Sequence, residues 1–196
     1  MNRRQMALSL PAAALAAAMP AQVRAQTVSR EAADLYRRAI VFDANLIPPG
    51  QITFPVPKKL LDMMRNSGIT AMRDTIGSME AGFEDTVDQI AFMQDLVARY
   101  SDLYFQVRTH DDFARAKREG RVGILFGFEH PTAFEEKLER IEIFRGLGVR
   151  VMQLTYYKAS PFGMGTFGDV NAGLTPLGRK AVAKMNEQGV AIDISH

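Results

Sequence analysis

Two hydrophobic rhythms take turns along this chain. Apolar runs at residues 39–42, 69–76, Val122–Phe128, 149–156 and 190–194 read as strands, Val122–Phe128 as a buried one. Between them, residues 57–66, 83–100, 110–120 and 132–146 and Pro176–Gln188 read as helices. Val87, Ile90, Phe92, Met93, Leu96 and Val97 draw one such stripe. A further helix is predicted over 28–38 and a short extended piece over 103–108. The punctuation agrees: Ser67-Gly68, Gly120 and Gly189 close helices, and Thr175-Pro176 opens one with a capping hydroxyl and a first-turn proline. Strands alternating with helices predict a parallel sheet covered by helices, an α/β fold. No repeat or low-complexity linker divides residues 26–196, so one domain is expected there.

The first 25 residues break both rhythms. Arg3 and Arg4 precede an apolar stretch over 6–19, and Val23-Arg24-Ala25 offers a small-x-small exit, the order of a secretory signal cleaved after Ala25. Asn2-Arg3-Arg4-Gln5-Met6-Ala7-Leu8 approximates a twin-arginine signal, which predicts a periplasmic or secreted protein. The apolar stretch is shorter than the ~20 residues of a membrane span, so no stable span is expected. This segment also corrects the charge. The chain carries 24 basic and 22 acidic residues, and without Arg3, Arg4 and Arg24 the balance is 21 against 22. The basic pI therefore belongs to the signal, and nucleic acid is not an expected partner. The chain has no cysteine, which excludes disulfides, thiolate metal sites and a cysteine nucleophile.

In a parallel barrel, reactive groups gather where strands end. Those ends hold Asp43 and Asn45, Arg73 and Asp74, Glu129 and His130, Tyr156 and Tyr157, and Asp193, Ser195 and His196. A glutamate and a histidine from different strands, Glu129 and His196, make a starting pair for a metal site of nitrogen and oxygen ligands. The plainer alternatives are that Glu129 caps the following helix, that His130 leans outward before Pro131, that His110 faces solvent at a helix start, and that the tyrosines pack. Gly163-Met164-Gly165-Thr166-Phe167-Gly168 fits a dinucleotide fingerprint, but residues 158–162 part it from the strand and the next helix waits until Pro176. A substrate-side loop is the better reading.

Four stretches are more specific: Gly120-Arg121-Val122-Gly123-Ile124-Leu125-Phe126-Gly127-Phe128-Glu129, Leu147-Gly148-Val149-Arg150-Val151-Met152-Gln153-Leu154-Thr155, Gly173-Leu174-Thr175-Pro176-Leu177-Gly178-Arg179 and Asp193-Ile194-Ser195-His196. In order and spacing they resemble the membrane (renal-type) dipeptidase family of metallopeptidases, with weaker similarity from residue 39 up to Arg121. The resemblance implies a (β/α)8 TIM-type barrel of the amidohydrolase kind with two zinc ions. Glu129 falls on the glutamate that bridges both metals, and His196 on the first histidine of the second. Asp43 matches an aspartate of the first strand, but the His-x-Asp pair that holds the first metal falls on Asn45 and Ile47. The substrate-contacting histidine falls on Tyr156. Asp43, Asn45 and Tyr156 are therefore candidates for metal or substrate contact, and at most one weakly held zinc is expected. The family's remaining ligands would lie beyond His196.

These readings predict an incomplete barrel with about five of eight strands, inactive as it stands. Whole, it would be a metal-dependent hydrolase of dipeptides or related small amides. The alternative is a non-catalytic periplasmic relative that binds a small molecule at a degenerate site.

Overall fold

In the computed structural model, residues 28–169 and 171–196 are described; the expected signal over 1–25 lies outside them. Six parallel strands form: β1 Phe42–Asp43, β2 Ala71–Thr75, β3 Tyr104–Gln106, β4 Val122–Phe128, β5 Val149–Gln153 and β6 Ala191–Asp193, all within or at the predicted runs except β1, which shares only Phe42 with the run predicted over 39–42. Five form a half-barrel in the order β1-β2-β4-β5-β6, and the short β3 lies beside β4. The helices are α1 Arg30–Arg38, α2 Pro49–Ile52, α3 Lys58–Asn66, α4 Phe83–Arg99, α5 Asp111–Glu119, α6 Glu139–Leu147 and α7 Pro176–Gln188. Because every pair is parallel, each return must cross the sheet, and the helices supply those crossings. Among the described residues no helix is long and apolar enough to cross a membrane.

Strand periodicity sorts the side chains onto two faces. Met72 and Ile76 of the β2 run, Ile124, Phe126 and Phe128 of β4, and Met152 of β5 turn toward the helices and join the main core. There α4 contributes Ile90, Met93 and Leu96, α6 Ile141 and Phe144, and α7 Ala181 and Met185. Phe128 and Phe144 meet edge to face at 4.8 Å, a geometry aromatic quadrupoles favour. The other face carries a smaller cluster in which Phe105, Val107 and Ala116 pack on Leu125.

Helix α7 keeps its predicted bounds because its ends are chemically fixed. The Thr175 hydroxyl accepts from the Gly178 amide at 3.0 Å, and Gly189 ends the helix with φ 64°. The predicted helix over 132–146 is a correction. Only a 3-10 turn forms at Thr132–Phe134, and α6 begins at Glu139. Glu135 and Glu136 lie between them in left-handed backbone, φ 46° and 61°. Tertiary contacts hold that bend: the Glu135 carboxylate accepts from the Phe83 amide at 3.2 Å and pairs with Arg140 at 2.8 Å.

Candidate functional site

The C-terminal ends of β1, β2, β4 and β6 meet around one buried guanidinium. Arg73 lies on β2, on the face opposite the main core, with its side chain 7% exposed. Its Nη1 is 2.9 Å from Asp193 Oδ2 and donates to the Ala44 carbonyl at 3.3 Å. Its Nη2 is 3.9 Å from Glu129 Oε1 and reaches the Phe128 carbonyl at 3.5 Å. Gly127 makes the passage: a Cβ there would stand 2.7 Å from Arg73 Nε. One side chain thus ties the tips of β1, β4 and β6, and the Arg73–Asp193 pair spans the mouth of the half-barrel.

A ring cluster stands beside it. The His196 ring packs on Tyr156 with centroids 4.2 Å apart, and Tyr156 packs on His130 at 4.2 Å. The His196 carbonyl accepts from the Thr166 hydroxyl at 3.1 Å, which ties the Gly163–Gly168 turn to the strand end. The expectation that His130 leans outward is corrected, because Tyr156 offers its ring a flat apolar partner. Partial burial holds the His130 pKa below its usual value, against the opposing pull of Glu129 and Glu80. The Tyr156 phenol is pushed up to about 12, first by its hydrogen bond with Tyr157 and then by burial, so it stays protonated and can donate. A cavity of 480 Å³ opens next to these rings, walled by Met79, His130, Pro131, Tyr156, Pro161 and Phe162. Its size suits a small molecule with an apolar group.

The first-strand candidates sit apart from this cluster. Asp43 turns back on its own loop and accepts from the Asn45 amide at 3.0 Å. Asn45 is exposed, and its side-chain oxygen accepts from the Thr75 hydroxyl at 3.1 Å. Ile47 is 51% exposed rather than packed. His110 is solvent-exposed, as its helix-start position suggests.

These residues do not fit a two-zinc centre. Among the described residues no group of three or more His, Asp, Glu or Cys could hold an ion. Asn45 and Ile47 bring no charge, and Glu129 faces a guanidinium that is already cationic. Glu129 and His196 do lie at the same end of the sheet, but two protein ligands fall short of the three usual at catalytic zinc.

From the sequence alone Arg73 and Asp193 are strand-end groups and nothing more. A period-two signal marks Arg73: Ala71 and Arg73 alternate with the core-facing Met72 and Ile76. Asp74, one residue on, takes the core-facing register. It is fully buried, and neither carboxylate oxygen has a hydrogen-bond partner. Desolvation raises its pKa to about 8, against the pull of the nearby Thr75 backbone N–H, which falls short of a full hydrogen bond, and of the Arg73 charge.

A parallel half-barrel with polar groups gathered at its strand ends defines a protein of the TIM-type β/α-barrel class. Residues 21–196 match the family described as membrane dipeptidase (Peptidase family M19), and the chain belongs to that family of metallopeptidases. It is 31% identical to dipeptidase tcpJ of Claviceps purpurea over 118 residues, 59% of this chain and 28% of that protein. It superposes on an amidohydrolase from Pseudomonas aeruginosa with TM-score 0.74 and 35% identity, covering 84% of this chain and 48% of that one. A metallopeptidase from Rhodobacter sphaeroides, liganded with a phosphinate mimic of the dipeptide L-Ala-D-Ala, shares the fold at TM-score 0.67 and 18% identity, over 80% and 58% of the chains. The chain spans less than two thirds of each of these relatives.

Proposed function

We propose that the whole protein hydrolyses dipeptides or related small amides at this strand-end mouth. The observation that carries the reading is the His196–Tyr156–His130 ring cluster at the strand ends, with Tyr156 and His130 lining an apolar cavity, in a chain of the dipeptidase family. In this reading the Tyr156 phenol faces the substrate from the cavity wall, and the cavity takes an apolar side chain. Glu129 and His196 are the metal-facing pair, with zinc limited to a single weakly held ion. Loss of charge at Asn45 and Ile47 favours a second reading, a relative that binds such molecules without cleaving them. Incubating the purified full-length protein with a dipeptide panel, with and without added zinc, and following released amino acids by mass spectrometry tests the choice. Cleavage carries the first reading. Calorimetric binding without cleavage of any member moves the function to the second.

The protein is proposed to reach the periplasm or the cell exterior through a cleaved, twin-arginine-type signal. Support comes from Arg3 and Arg4 before a short apolar stretch and from the Val23-x-Ala25 exit. Intact-mass measurement of the exported protein should find Gln26 first, and retention of Met1 would defeat the proposal.

A further inference from the structure

The mouth holds one buried cation against two nearly buried carboxylates. Side-chain exposure is 7% for Arg73, 14% for Glu129 and 10% for Asp193. Buried carboxylates need a positive partner, and the dipeptidase resemblance leads one to expect metal in that role. The cation on this side of the mouth is instead a side chain. Arg73 reaches the tip of β1 through the Ala44 carbonyl, next to Asn45 and Ile47, where the first-strand metal pair would fall. Its space is prepared, since any side chain at Gly127 would collide with Arg73 Nε. It cannot leave by losing a proton, because an arginine stays charged.

We propose that Arg73 is the resident cation of this mouth, standing in for the metal that would face Glu129 from the first strand. A divalent ion on that side of Glu129 would meet the guanidinium as a like charge at short range, in a site with little water to screen it. The same guanidinium pairs with Asp193 at 2.9 Å and stands 3.9 Å from Glu129, so Arg73 is a positioning residue and not one that reacts. This inference rests on the mouth being the working site, but it concerns the mouth's charge and not the turnover.

The test is metal content, which separates it from the hydrolysis assay. Full-length wild type, Arg73→Met and Arg73→Lys are expressed with zinc, desalted and measured by mass spectrometry of the metal, then titrated with zinc. Wild type should retain fewer than two zinc ions, and its melting temperature should not drop with chelator. Arg73→Met should bind zinc roughly tenfold or more tightly than wild type. Arg73→Lys keeps the charge and should remain as zinc-poor as wild type. Two retained ions in wild type, or equal zinc affinity in wild type and Arg73→Met, overturns the proposal. Where Arg73→Met does not fold, the wild-type titration decides alone, with two ions against the proposal and fewer for it. A zinc-poor wild type that cleaves nothing removes the hydrolase reading and leaves this inference standing.

Discussion

Arg73 and Asp74 are neighbours on β2 that carry opposite charges to opposite faces of the sheet. Arg73 meets two carboxylates and two carbonyls at the mouth, while Asp74 meets the main core and finds no acceptor or donor for either oxygen. Both are almost wholly removed from water. The guanidinium finds partners because the mouth is built of oxygens, whereas the carboxyl gives its charge up because the core is built of Met72, Ile76 and Phe126. Partner supply, not depth, separates the two buried groups.

Removing the supported charge should have the largest effect. Arg73→Met leaves Glu129 and Asp193 facing each other without a cation, and should cost ~3–5 kcal/mol in urea unfolding. A loss below ~1 kcal/mol would mean that the two carboxylates already find other partners. Removing the unsupported charge should act with the opposite sign. With a native pKa of about 8 and an unfolded value near 3.9, Asp74 holds its proton more tightly in the folded state. Its contribution therefore falls as pH rises between ~4 and ~8, and levels off above that. Asp74→Asn should gain on wild type by roughly 3–4 kcal/mol more at pH 8 than at pH 5. A pH-independent difference would place the carboxyl among partners.

Neutral and exposed contacts complete the scale. Thr175→Ala removes the uncharged cap of α7 and should cost ~1 kcal/mol in thermal melts. Lys58→Ala breaks a pair with Asp62 whose lysine is 86% exposed. It should change stability by under ~0.5 kcal/mol, and a larger cost would show that water screens this surface less than expected.

Much of the architecture was legible because apolar rhythm reports burial directly. Val122–Phe128 and Pro176–Gln188 appear with the bounds their patterns predict. The helix over 132–146 misled because part of what holds its break comes from outside the segment, in the grip of Glu135 on the Phe83 amide. Strand ends named the site's residues but not their company. That His130 packs on Tyr156, or that Arg73 spans to Asp193, depends on sheet curvature bringing distant strand tips together. No local pattern encodes that curvature.

Strand β4 has more neighbours than any other described strand. It pairs with β2 along Gly123–Gly127 on one edge; on the other it meets β3 at Val122–Ile124, then β5 from Phe126, with a register shift between Phe126 and Gly127. Its amides can be released only by parting three strands together, whereas β1 and β6 each have a single partner. In exchange with deuterated solvent, β4 should therefore report the global opening of the sheet while the outer strands report fraying. The segment that ends at Glu129 is thus the last to loosen, so the strand leading to the mouth would keep its register through the local openings that let small molecules and solvent pass.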